Sequence, residues 1–135
     1  MEPSLVLQTA VRARLVASSA LVALVPADNV RDANGVPAIF PRIVIGEGMT
    51  SPAGDIARRR HDAFLDLHIW VAESGLVTSK QIAAAIRAAL VDARWDLSGL
   101  EVADLYVASS RFMRDPDGLH SHGIISLTAI VKETA

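Results

Sequence analysis

Chemistry in this chain would have to come from four histidines, fifteen carboxylates, thirteen lysines and arginines, and its hydroxyl groups, because it has no cysteine. His120 and His122 lie two apart and could share one strand face, a permissible metal pair. The further ligands near them in sequence are Asp115 and Asp117, and the plainer reading is a set of polar residues at a hairpin end. His68 falls on a half-polar strand face, and His61 belongs to the basic loop. Nucleophilic catalysis needs a hydroxyl or thiol with a positioned base. There is no G-x-S-x-G elbow, and Ser109-Ser110 lies inside a strand pattern. Gly46-Glu47-Gly48 matches only the first three positions of a phosphate-cradling G-x-G-x-x-G, and Ser51-Pro52 follows where a third glycine and a helix should stand. Asp62 and Asp66 share a strand face but sit about 13 Å apart by strand rise, too far to share a proton. The reading is therefore no catalytic residue, no metal ligand set and no cofactor.

Arg58-Arg59-Arg60 is the strongest charge feature. It is either a solvated loop or an electrostatic contact, to an acidic patch on a partner or to nucleic acid threaded past it. The net charge of −2 and pI near 6.0 lack the basic balance of a nucleic-acid-binding domain. Without cysteine, disulfides and thiolate metal sites are excluded. No stretch is long and apolar enough for a transmembrane helix, and Met1-Glu2-Pro3 lacks the basic start of a secretory signal. Hydrophobic residues make up 51% and aromatics only 4%, so the core is aliphatic. That apolar content fits either an alanine-rich monomer or extra surface buried between subunits.

The elements that must carry these residues can be read from periodicity. Leu7, Ala10, Val11 and Leu15 predict a helix from Pro3 to about Ser18, with Ala20–Val25 as a further turn stopped by Pro26. Asp28–Pro37 is turn-rich around Asn34-Gly35. Phe40–Glu47 reads as a strand, with Pro41 marking an edge or the start of pairing, and Gly46 through Arg60 as a long loop. Asp62–Val71 alternates, setting Ala63, Leu65, Leu67, Ile69 and Val71 against Asp62, Phe64, Asp66, His68 and Trp70. Phe64 and Trp70 on the wetter face need cover, from a neighbouring chain or from the long loop. Thr78 and Gln81 have capping-box spacing ahead of the stripe Ile82, Ala85, Ile86, Ala89, Leu90 and Ala93. Strands over Glu101–Met113 and His120–Lys132 flank Asp115-Pro116-Asp117-Gly118, which suits a type I turn. The expectation is one α+β domain over residues 1–135: two helices on one face of a four-stranded, mainly antiparallel sheet.

In this order the segments resemble the tail-completion, or tail-terminator, proteins of long-tailed bacteriophages and gene transfer agents. Glu2-Pro3-Ser4-Leu5 opens a helix that leads into Ala20–Val25. Phe40-Pro41-Arg42-Ile43-Val44-Ile45-Gly46 is similar to the family's "FPY-V-IG" strand. His68-Ile69-Trp70 followed by Lys80 to Leu90 is similar to its central strand and helix. Arg111-Phe112-Met113-Arg114-Asp115-Pro116-Asp117-Gly118 followed by Gly123 is similar to its closing hairpin. The family's Tyr after Phe-Pro is Arg42 here, and its Ser or Thr after Trp is Val71.

The resemblance implies a non-enzymatic virion protein, assembled in the bacterial cytoplasm. It implies a hexameric ring that caps the head-proximal end of the tail tube, stops its growth and offers a surface for head–tail joining. Its partners would be further copies of itself, the major tail-tube protein and a head-connector or neck protein, with DNA only as passing cargo and no membrane. The subunit or tube interface is expected at Glu47, Met49, Arg58, Arg59, Arg60, Phe64 and Trp70. A neck or head-completion adaptor, a small metal-binding enzyme domain around His120 and His122, and an unrelated oligomeric α+β domain are the competing readings.

Overall fold

The alternation of Asp62–Val71 organises the molecule. In the computed structural model, which describes residues 2–32, 39–54, 56–91 and 94–134, it becomes β3 (Arg60–Val71). Ala63, Leu65, Leu67, Ile69 and Val71 are all buried. The other strands are β1 (Val30–Arg31), β2 (Arg42–Pro52), β4 (Leu100–Arg114) and β5 (Ser121–Glu133). They form one sheet in the order β1-β2-β3-β5-β4, antiparallel except for the β1–β2 pair. The helices are α1 (Pro3–Val16), α2 (Ser19–Val22) and α3 (Val77–Leu90), with a 3₁₀ turn at Ala27–Asn29. The class is α+β as expected, but with five strands and three helices in place of four and two. The additions are short: a two-residue strand, too brief to leave a period in the sequence, and a four-residue helix at the further turn read from Ala20–Val25.

One face of the sheet is sealed by helices. Leu7, Val11 and Leu15 of α1 and Ile82, Ile86 and Leu90 of α3 pack on Ile43 and Ile45 of β2, Leu65, Leu67 and Ile69 of β3, and Ile125 and Leu127 of β5. The start of α1 is tied to the sheet by Glu2. Its Oε1 accepts from the Ser4 amide at 3.2 Å and from Thr50 Oγ1 at 2.7 Å. The expected capping box at α3 does not form, because the helix begins at Val77 and places Thr78 inside its first turn. The Glu73 carboxylate caps it instead, accepting from the Thr78 and Ser79 amides, each at 3.1 Å, and from Ser121 Oγ at 3.0 Å. Burial pushes this carboxyl up, but the hydrogen bonds from Thr78, Ser79 and Ser121 outweigh it and hold it below the usual range.

The expected long loop is mostly strand. β2 continues to Pro52 by way of a bulge between Ile45 and Gly48, and β3 begins at Arg60, so the connection shrinks to residues 53–59. A bulge takes up an extra residue and breaks the strict alternation that marks a strand in sequence. β2 and β3 together therefore make a hairpin arm inside the sheet, paired with β5 as far as Arg60 opposite Lys132. The arm is tied there by the Glu133 amide donating to the Arg59 carbonyl at 2.8 Å, and the connection at residues 53–59 is its tip. The closing hairpin is as expected: the Gly118 amide donates to the Asp115 carbonyl at 2.9 Å, and Gly118 has φ of 71°. Asn34-Gly35 and Ala93 lie outside the described residues. Among those described, no helix is long and apolar enough to cross a membrane.

Candidate functional site

Among the described residues no helix covers the second face of the sheet, and Asp62, Asp66 and His68 of β3 point onto it, while His61 falls on the helix side with Ala63 and Leu65. Residues paired directly across strands share a face, so the register lays out this surface in rows. Arg42, Trp70, His122 and Met113 form a row at one end; next come Val44, His68, Ile124 and Arg111. Asp66, Ser126 and Ser109 follow, with Glu47 projecting from the bulge beside them. Then come Met49, Phe64, Thr128 and Tyr106, and after these Ser51, Asp62, Ile130 and Asp104.

A connected network occupies the Trp70 end. The Trp70 and His122 rings stack at 3.9 Å, 10° from parallel. His122 Nε2 lies 2.9 Å from His68 Nδ1, and His68 Nε2 lies 3.0 Å from Glu47 Oε2. A carboxylate only accepts, so His68 donates its Nε2–H to Glu47 and uses Nδ1 to accept from His122 while both rings are neutral. Burial, and then the neighbouring His68, hold the His122 pKa below the ordinary value, against a smaller opposing pull from Asp115. Glu47 is held low by a hydrogen bond from its own backbone amide and by His68. Gly46 makes the network possible: a Cβ there would stand 2.6 Å from His68 Cδ2 and 2.7 Å from Nε2. Arg42 carries the stack outward, its guanidinium 5.9 Å from the Trp70 ring centre and 5.1 Å from that of Phe40.

Trp70 is thus covered by His122 and Arg42 of its own chain, not by the 53–59 connection. Phe64 is not covered. It stays 36% exposed beside Met49 at 59%, with Tyr106 and Ile130 also exposed in the neighbouring strands. The rows from Glu47 to Asp104 hold four carboxylates (Glu47, Asp62, Asp66 and Asp104) and no cation. Together they make an exposed apolar stripe set among acids, closed at one end by the row of Arg60, Lys132 and Glu101 and at the other by Arg111.

Arg60 of the basic run continues this surface, in the row next to Asp62 with Lys132 and Glu101, while Arg58 and Arg59 lie beyond it. Arg58, with φ of 55°, and Arg59 lie exposed at the arm tip, near a fully exposed Ile56. Arg60 is the first residue of β3 and pairs with Lys132. His61 belongs to β3, not to a basic loop, and its Nε2 donates to Glu133 Oε2 at 2.9 Å. Of the expected interface residues, Glu47, Met49, Arg60, Phe64 and Trp70 share the open face, and Arg58 and Arg59 lie at the arm tip.

The His120–His122 pair separates. His120 precedes β5 and gathers with Asp115 and Asp117, its Nδ1 2.6 Å from Asp117 Oδ2, while His122 joins Trp70. A second set of possible ligand atoms, Glu47, Asp66 and His68, converges within 4.8 Å. Sequence reasoning missed it and the His68–His122 contact, because both depend on register between distant segments. Tyr106 and Ile130 were missed as well. Period-two spacing would have pointed to Ile130, but two bulges in β4, at Val102/Asp104 and Val107/Ser109, hide the face of Tyr106.

A sheet sealed on one side and left open on the other, with an apolar and acidic stripe and a basic arm, defines a protein that acts through contact surfaces. The chain belongs to a family of structural virion proteins: the family described as tail completion protein gp17 matches residues 9–132. Its role is structural, in completing the virion tail. Two solved structures share its fold. A chain of the virion of a native gene transfer agent particle is 24% identical with a TM-score of 0.85, over 98% of this chain and 99% of that one. The gp17 protein of bacteriophage SPP1 is 22% identical with a TM-score of 0.60, over 98% and 91%. No curated protein sequence matches.

Proposed function

We propose that residues 1–135 act as one domain that closes the head-proximal end of the tail tube. Copies assemble into a hexameric ring, halt tube growth and present the docking surface for the head connector. The observation that carries this reading is the open sheet face. An exposed row of Met49, Phe64 and Tyr106 is apolar surface that a lone chain leaves in water, and such patches mark sites of association. The arm adds a second, basic surface at Arg58 and Arg59, beyond the face of Glu47, Phe64 and Trp70, with Arg60 at the border between the two. A ring needs two different surfaces on each copy, because head-to-tail contacts join unlike patches and close when the rotation allows. The tube protein then meets one rim of the ring and the connector the other, while DNA passes as cargo through the centre.

Particles assembled without this chain test the reading. Tails that grow beyond the normal length, or that stay unattached to heads, are the expected outcome in electron micrographs. Tails of normal length joined to heads would overturn it.

A further inference from the structure

Resting on the reading of a ring of copies, we infer that the stripe set among acids on the open face is the seat for the arm tip of the next copy. The seat is the block of rows running from Glu47 and Asp66 to Asp62 and Asp104, with Met49, Phe64, Tyr106 and Ile130 exposed among the carboxylates. What fits such a surface is an apolar knob flanked by cations. The arm tip is one. Ile56 is fully exposed, Arg58 and Arg59 follow it, and neither guanidinium has a hydrogen bond or ion pair among the described residues. Burying Ile56 against Phe64 and Tyr106 removes apolar surface from water on both sides. The carboxylates of Asp62, Asp66 and Asp104 give the two arginines partners of opposite sign and favour one orientation.

Geometry directs the contact between copies and not within one. Phe64 lies on the strand that leads away from the tip, about 13 Å along it from Arg60 by strand rise. The tip could reach its own Phe64 only by unpairing β2 from β3. A tip on one copy and a seat on the next are unlike surfaces, so the contact is head-to-tail and repeats around a ring. Nucleic acid is the wrong occupant for this seat, because its four carboxylates, with Arg60 and Lys132 only at one edge, repel phosphates. A partner of a different chain would need an arm of the same chemistry, whereas each copy already supplies one.

The absence of native cysteine allows a clean test. Ile56→Cys is combined with Tyr106→Cys, and in a second chain Ile56→Cys with Met49→Cys, all at exposed positions. Particles carrying either pair are oxidised and run without reductant. The expected result is a ladder of bands at multiples of 14.4 kDa that collapses on reduction, with no ladder from any single-cysteine chain. Adding Arg58→Glu and Arg59→Glu weakens the ladder about tenfold or more, and also reversing Asp62 and Asp66 to Lys restores it. Monomer only from both cysteine pairs, bands joining the chain to a different particle protein, or a ladder indifferent to both charge reversals would overturn the proposal. Failure here is separable from failure of the tail-closing reading. Tails left normal by loss of the chain would end that reading and leave the ladder intact, whereas overlong tails without a ladder would do the reverse.

Discussion

The two faces of β3 are built from one stretch of backbone and do opposite work. Toward the helices, Ala63, Leu65, Leu67, Ile69 and Val71 are each at most 7% exposed. Toward the open side, Asp62, Asp66, His68 and Trp70 are half-buried and Phe64 is exposed. The covered face finds all of its partners within one chain, through α1 and α3. The open face finds some, since Ser126 Oγ donates to Asp66 at 2.8 Å and His122 stacks on Trp70, and it leaves an apolar remainder. Period-two alternation thus separates two demands that usually conflict. Residues chosen for stability and residues chosen for contact alternate along a single strand without competing for the same space.

The largest effect should expose this division directly. Leu67 is fully buried, and Leu67→Ala should cost about 2–5 kcal/mol of folding stability through lost transfer energy and the cavity left behind. Phe64→Ala, three residues away on the other face, should cost no more than about 1 kcal/mol and yet impair assembly into particles. Urea denaturation of the two purified variants, set beside particle yield, reads both. Equal losses of stability would show that the open face is part of the core after all, and the contrast would collapse.

That contrast was half legible before the structure. Asp62–Val71 announced its buried side because five aliphatic residues alternate without interruption, and the Ile82, Ile86, Leu90 stripe announced α3 in the same way. The turn at Asp115–Gly118 carried its own chemistry in four consecutive residues. The open face was harder. Its central network joins Glu47 to His68 across 21 positions and His68 to His122 across 54. Such contacts exist only once β2, β3 and β5 are in register, and a bulge at Ile45/Gly48 disguises the first of them. The capping box failed for a related reason: Thr78 and Gln81 had suitable spacing, but Glu73, from outside the motif, reached the free amides first.

The next effect is a pH dependence confined to the open face. The folded His122 has its pKa held below the ordinary 6.5, chiefly by burial. Between those two values the unfolded chain binds the proton that the folded chain refuses, so stability rises with pH there. The contribution is complete above about pH 6.5 and is lost as pH falls through the lower, folded value. His122→Phe keeps a ring against Trp70 and removes the proton, so it should flatten this part of the stability profile. Thermal unfolding measured at intervals between pH 7.5 and 5 checks it. An unchanged slope in the variant would place the titrating group elsewhere.

The smallest change in stability should accompany one of the largest losses of function. Arg58 and Arg59 are exposed at the arm tip, remote from the core, so Arg58→Glu with Arg59→Glu should shift monomer stability by no more than about 0.5 kcal/mol. The same double variant should leave tails unjoined to heads, because it reverses the sign of the surface that must meet the next copy's carboxylates. Denaturation of the purified chain and micrographs of particles made with it give the two halves of the measurement. A normal melt with normal particles would remove the arm from the assembly surface. A large loss of stability would instead mean that the arm is held by its own chain, and the separation of a stable face from a contacting one would have to be redrawn at residues 53–59.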